Sequence, residues 1–198
     1  MPYQPNDHYA KKAKEENFAA RSVYKLQEID EKYQVLKGAK QVMDLGASPG
    51  SWSQYVSKKL GKNVKIFSID LNPLAQNIPN VTFVITDILK TDMIALVQNH
   101  GFNPHFDVVI SDMAPKTTGI RITDQARSYE LCLMALDVAK KCLKPDGNFV
   151  CKLFDSEDFI NLKNELQKCF KKVNVLRPKS TRKESKELFF IAQGYCKN

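Results

Sequence analysis

Apolar residues in this chain gather into short continuous runs, separated by stretches in which they recur at helical spacing. The runs are 41–45 (QVMDL), 64–69 (VKIFSI), 81–85 (VTFVI), 106–111 (FDVVIS), 148–154 (NFVCKLF), 173–176 and 188–192 (LFFIA), and each reads as a strand. Segments 51–60, 91–99, 123–143 and 157–169 read as helices. Ahead of the first run, Phe18, Val23, Tyr24, Leu26, Ile29 and Tyr33 recur at mixed three- and four-residue intervals, which predicts one amphipathic helix over 15–33. Unbroken apolar strands alternating with helices predict an α/β fold with a mostly parallel sheet covered on both faces. Only a short basic connection, 177–187, joins the last two strands, so these should pair antiparallel. With no repeat and no linker, the 198 residues predict one domain: an N-terminal extension and helix over 1–38, then an α/β core over 39–198.

The junction after the first strand carries the strongest local signal. Residues 41–52 read QVMDLGASPGSW: an apolar run interrupted by Asp44, a small-residue loop from Gly46 to Gly50, then a helix from Ser51. A strand that stops at a glycine-bearing turn and feeds a helix lets backbone N–H groups approach a nucleotide-like ligand. The spacing is G-x-x-x-G, unlike the G-x-G-x-x-G of dinucleotide folds, and Pro49 removes one amide donor. That favours a ligand without a pyrophosphate, such as S-adenosylmethionine. A plain turn between strand and helix remains the alternative.

Ligands of open α/β sheets sit outside the carboxyl ends of the strands. Four acids stand at or just after such ends here: Asp44, Asp70, Asp87 and Asp112. Asp70 lies 24 residues beyond Gly46, where an acid commonly takes ribose hydroxyls. Each could instead serve a turn or a helix N-cap. Lys152 sits inside the apolar run FVCKLF, and a buried lysine requires a partner. It either snorkels to the surface or meets a carboxylate, for which Asp112 on the neighbouring strand end is the natural choice.

Charge adds a second theme. The net charge is +8, and +7 of it falls between Lys163 and Lys186. That segment includes Arg177, Lys179, Arg182 and Lys183, and a second cluster, Lys11, Lys12 and Lys14 with Arg21 following, lies near the N-terminus. Basic clusters are the footprint of a polyanion binder, the alternative being a lysine-rich solvated helix face. No apolar run nears the roughly 20 residues that span a bilayer, and the N-terminus lacks a secretory h-region. Five scattered cysteines without C-x-x-C predict reduced thiols in a cytoplasmic protein, and three dispersed histidines give no metal site.

In order and spacing, DLGASPGSWSQ, SDMAPKTTG, FVCKLF and KSTRKESKELFFIA resemble the FtsJ-like ribose 2′-O-methyltransferases, with similarity from KAKEENFAARSVYKLQEID essentially to the C-terminus. The resemblance implies a Rossmann-like, S-adenosylmethionine-dependent methyltransferase fold of seven strands. It also implies a lysine–aspartate–lysine–glutamate tetrad: Lys25 in VYKL, Asp112 in SDMAP, Lys152 in VCKLF and Glu187 in SKELFFIA. By the same likeness Lys152 is the base, Asp112 and Lys25 orient it and the substrate, and Glu187 holds Lys25 or the ribose. The cofactor set is Asp44, Gly46, Ser48, Pro49, Gly50, Ser51, Trp52, Asp70, Leu71, Asp87, Ile88 and Asp112. Gly46, Gly50 and Trp52 shape its methionine side, Asp70 meets the ribose and Asp87 meets the adenine. Lys11, Lys12, Lys14, Arg21, Arg177, Lys179, Arg182 and Lys183 should grip RNA phosphates.

The short type acting on large-subunit ribosomal RNA is the nearest likeness, with a uridine of 23S rRNA on an assembled subunit as target and a monomer as the acting species. The loop departs from it, because Ser51 stands where those enzymes usually have glycine and related tRNA ribose methyltransferases often have serine. Lys116 also replaces a common asparagine. Transfer RNA is therefore the alternative substrate, although the chain lacks the C-terminal extension of the tRNA enzymes. A catalytically dead RNA-binding module is a third reading, against which the intact tetrad stands.

Overall fold

The computed structural model describes residues 8–181 and 187–196. Seven strands form one sheet in the order β3-β2-β1-β4-β5-β7-β6. They are β1 (Gln41–Leu45), β2 (Lys65–Asp70), β3 (Val81–Ile85), β4 (Phe106–Ser111), β5 (Leu143–Phe154), β6 (Phe170–Leu176) and β7 (Glu187–Tyr195). All neighbours pair parallel except β7, which runs antiparallel to both β5 and β6, the arrangement expected from the short 177–187 connection.

The central strands are apolar throughout because each of their faces is covered. Val42, Ile66, Ile110, Val150 and Phe189 point to one side, where they meet Val23, Leu26 and Ile29 of α2 (Val23–Tyr33) and Trp52 and Val56 of α3 (Ser51–Leu60). Met43, Phe67, Val109, Phe149 and Phe190 point to the other, under α4 (Met93–Asn99), α5 (Arg121–Cys142) and α6 (Phe159–Gln167). A one-residue step along any of these strands therefore changes the core that a side chain enters.

One expectation is corrected. The single helix over 15–33 is two helices, α1 (His8–Glu15) and α2, broken at 16–22. Asn17 takes a left-handed φ of 58° and the Phe18 N–H closes on the Ala13 carbonyl at 2.8 Å. Gln54 of α3 then accepts the Ala19 N–H at 2.7 Å and donates to the Asn17 carbonyl at 3.2 Å. The five-residue gap between Phe18 and Val23 marks the break. β5 also starts five residues earlier than expected, because Leu143 pairs with Phe106 ahead of an irregularity in the β4–β5 register.

Candidate active site and cofactor cleft

Strand register and the packing of α2 together assemble the tetrad. β4 and β5 pair with Ser111 opposite Cys151, so the next step sets Asp112 beside Lys152. The Lys152 Nζ donates to Asp112 Oδ1 at 2.8 Å and to the Asp112 carbonyl at 2.5 Å. On its other side β5 pairs with β7, Lys152 opposite Phe189 and Phe154 opposite Glu187. Strand alternation then puts Glu187, Phe189 and Lys152 on one face, the face covered by α2. Lys25 of α2 forms an ion pair with Glu187, and its Nζ lies 5.8 Å from the centre of the Phe189 ring.

The tetrad is thus two ion pairs flanking one buried aromatic ring. The four side chains keep only 12% (Lys25), 8% (Glu187), 7% (Lys152) and 18% (Asp112) of their surface. Taking ion pairs out of water is costly, and apolar residues would fill such a place with at least equal stability. Charges retained there point to a chemical use rather than to folding.

Beside the tetrad a cleft of about 660 Å³ opens at the carboxyl ends of β1, β2, β3 and β4. Of the residues expected to bind cofactor, Gly46, Ser48, Asp70, Leu71, Asp87, Ile88 and Asp112 line it. Asp112 therefore belongs both to the cleft wall and to the tetrad. Gly46 has a φ of 75°, and a Cβ there would lie 2.4 Å from Cγ of Met113, so only glycine lets the ends of β1 and β4 close together. Asp70 shapes the rim by accepting N–H groups from Ser48 at 2.9 Å and Asn72 at 2.8 Å. Asp87 accepts the Leu89 N–H at 3.0 Å, with Lys90 at 3.7 Å from its other oxygen.

Asp44, Pro49, Gly50, Ser51 and Trp52 do not line this cleft. Asp44 lies fully buried beneath the start of α3, where the Ser53 hydroxyl donates to Oδ2 at 2.6 Å. Its Oδ1 has no hydrogen-bond partner among the described residues. Burial pushes the Asp44 carboxyl up to about 7; the Ser53 hydrogen bond opposes this, and the Asp112 and Asp70 carboxylates add to it. An unpartnered buried carboxylate oxygen and a glycine cradle beside it fit a ligand with an ammonium group, such as the amino-acid end of S-adenosylmethionine.

Ser51 and Trp52 turn inward instead. The Ser51 hydroxyl is 2.7 Å from that of Ser22, and the Trp52 indole N–H donates to the Ser22 carbonyl at 2.9 Å. The indole ring also lies 5.7 Å from that of Phe189. Gly50 has a φ of 115°, with Ile78 where a Cβ would crowd, and Pro49 follows a cis peptide bond.

Sequence reasoning missed one wall of the cleft: Arg127, Glu130, Leu131 and Met134 of α5. Their i, i+3, i+4, i+7 spacing is the stripe of one helix face, which could have singled them out once α5 was placed beside β4.

The basic residues divide into two groups. Lys168, just after α6, pairs with Glu165 at 2.6 Å, and Lys171 of the edge strand β6 pairs with Asp146 at 2.5 Å. A second set lies on the N-terminal segment and the 177–181 stretch. The Arg21 guanidinium donates to the Ser180 carbonyl, and Glu28 of α2 accepts the Lys179 N–H at 2.8 Å, which fastens the 177–181 stretch to the N-terminal helices. Lys11 and Lys12 make long surface pairs with Glu15 and Glu16, at 3.9 and 3.8 Å, and the Lys12 Nζ also lies 4.7 Å from the centre of the Tyr24 ring. Lys14 is exposed, and Arg177 bonds Asp155 at 2.8 Å. Arg182 and Lys183 lie outside the described residues. Among the described residues no cluster of three or more His, Cys, Asp or Glu could hold a metal, and no helix is long and apolar enough to cross a membrane.

A parallel sheet with one antiparallel strand inserted next to its edge, and a cleft at the strand ends beside β1 and β4, defines a Rossmann-like methyltransferase domain. The FtsJ-like methyltransferase family model matches residues 18–195, and this chain belongs to that family. The chain is 56% identical over 191 residues to ribosomal RNA large subunit methyltransferase E of Bdellovibrio bacteriovorus, covering 96% of this chain and 97% of the relative. It is 46% identical over 190 residues to the protein of the same name from Nitratidesulfovibrio vulgaris, covering 96% and 93%. A crystal structure of a ribosomal RNA methyltransferase from Plasmodium falciparum superposes with a TM-score of 0.79 at 29% identity, covering 90% of this chain and 98% of that one.

Proposed function

We propose that this chain is a ribose 2′-O-methyltransferase of large-subunit ribosomal RNA that uses S-adenosylmethionine and modifies a uridine of 23S rRNA. The observation that carries the reading is Asp112, which lines the cofactor cleft with one surface and holds the Lys152 amine with the other. Relatives named as large-subunit ribosomal RNA enzymes align along almost the whole chain, which favours ribosomal RNA over tRNA.

Gly46, Ser48, Asp70, Leu71, Asp87, Ile88 and Asp44 would hold the cofactor, whose sulfonium supplies an already activated methyl group. The protein's tasks are alignment and removal of the hydroxyl proton. Two of the three Lys152 donor directions are committed to Asp112, which fixes the amine and leaves one direction for the ribose 2′-hydroxyl. In this reading Lys152, once neutral, accepts the 2′-hydroxyl proton at Nζ. Lys25, held by Glu187, orients the ribose or its phosphate. The protein acts in the cytoplasm as a monomer.

The test is methyl transfer from labelled S-adenosylmethionine to large ribosomal subunits and to tRNA, both from a strain deleted for this chain. Labelling of one 23S ribose in subunits is expected. Labelling of tRNA alone, or of neither, defeats the proposal.

A further inference from the structure

Residues 113–120, between β4 and α5, together with Arg121 and Ile122 at the start of α5, form a lip that neither the tetrad nor the basic clusters account for. It begins directly after Asp112, and Met113, Pro115 and Lys116 line the same cleft. A loop this exposed ordinarily needs an anchor, and Asp124 provides one. Its buried carboxylate accepts the Thr118 N–H at 2.7 Å, the Thr118 hydroxyl at 2.9 Å and the Gly119 N–H at 3.3 Å. The lip therefore has a held shape next to the reacting groups.

What it presents is unusual for a held loop. Ile120 is 63% exposed and Ile122 79%, the latter the highest value for any large apolar side chain among the described residues. Arg121 lies between them and Lys116 shortly before, both exposed and without an ion-pair partner among the described residues. Lys168, Lys171 and Arg177, by contrast, are each matched to an acid. Aliphatic side chains interleaved with unmatched cations suit a single nucleic-acid strand, whose base faces are apolar and whose phosphates are anionic. A protein partner's apolar patch would not call for the cations.

We infer that Lys116, Ile120, Arg121 and Ile122 form a lip that grips the unpaired RNA strand flanking the methylated nucleotide, the cations on its phosphates and the isoleucines against its bases. The inference rests on the function proposed above, because the strand must place a ribose at Asp112 and Lys152.

Two variants test it, Ile120→Ser combined with Ile122→Ser, and Arg121→Ala. Affinity for a fluorescent, unstructured RNA oligonucleotide, KM for large subunits, and S-adenosylmethionine affinity by calorimetry are compared with wild type. Oligonucleotide affinity should fall about tenfold for the isoleucine pair, with a matching rise in KM, kcat nearly unchanged and cofactor affinity within about twofold. For Arg121→Ala the salt dependence of RNA affinity should become shallower by about one phosphate contact. Unchanged oligonucleotide affinity in both variants overturns the inference. So does a loss seen only with assembled subunits, which would assign the lip to a ribosomal protein. If wild-type protein methylates no RNA, the proposed function fails, yet the oligonucleotide comparison still decides the lip.

Discussion

The hydroxyl of Ser51, the first residue of α3, lies 2.7 Å from the hydroxyl of Ser22, the residue that opens α2. Ser22 does not use that hydroxyl to cap its own helix. Its carbonyl receives both the Trp52 indole N–H at 2.9 Å and the Lys25 backbone N–H at 3.0 Å. The helix that leaves the cofactor loop is thereby joined to the first turn of the helix that carries Lys25. Ser51→Ala should cost about 1 kcal/mol, a Tm drop of roughly 2–4 °C for a chain this size. It should also lower kcat severalfold while cofactor affinity holds. Thermal melts and steady-state kinetics check this; wild-type kcat in the variant would mean that Lys25 needs no such support.

Lys152 is tested by a substitution that keeps the charge. In Lys152→Arg the guanidinium can still pair with Asp112 but cannot become neutral near pH 7. If Lys152 takes the 2′-hydroxyl proton, kcat should fall at least about 100-fold, with cofactor affinity little changed. Near-full activity would reduce Lys152 to a positioning role and hand the proton to solvent.

The buried Asp44 carboxyl should make stability and the proposed cofactor binding depend on pH. Burial raises its carboxyl to about 7, well above its unfolded value near 4. Between those values the native state keeps a proton that the unfolded chain has lost. Its contribution is therefore full below about pH 4, declines as pH rises toward 7, and is flat beyond. Asp44→Asn should remove that decline from a urea-unfolding series. Ligation of the Asp44 carboxylate by the cofactor's ammonium should also expel the proton. Calorimetry at pH 6.5 in buffers of different ionisation enthalpy should register proton release in wild type and none in Asp44→Asn. Equal buffer dependence in both proteins would separate Asp44 from the cofactor.

What could be read before folding follows from how local each signal is. The strands were legible because both sheet faces are buried, so that β1, β4 and β5 are apolar without alternation. Gly46 was legible because its role depends on its own φ and on the next strand end. Trp52 was not: its place in the loop says only that it follows Gly50, whereas its neighbours Ser22 and Phe189 lie 30 and 137 positions away. The basic 163–186 segment read as one patch for the same reason. Composition counts Lys168 and Lys171 with Arg177 and Lys179, and only the folded chain shows Lys168 matched to Glu165 and Lys171, on the edge strand β6, matched to Asp146.

That division of the basic residues makes a quantitative prediction about salt. The cations of the N-terminal segment and the 177–181 stretch should release counterions on binding RNA, about 0.7 in the slope of log affinity against log salt for each single-strand phosphate contact. Lys11→Ala combined with Lys14→Ala should make the slope shallower by about 1.4 and weaken binding at low salt. Lys168→Ala combined with Lys171→Ala should leave it unchanged, since those amines are already matched to carboxylates far along the sheet. Fluorescence anisotropy with an RNA fragment of the target region, titrated from about 50 to 200 mM salt, distinguishes the two pairs. Equal slopes for both double variants would show that binding follows net charge, and that the face holding α1, α2 and the 177–181 stretch has no special part in it.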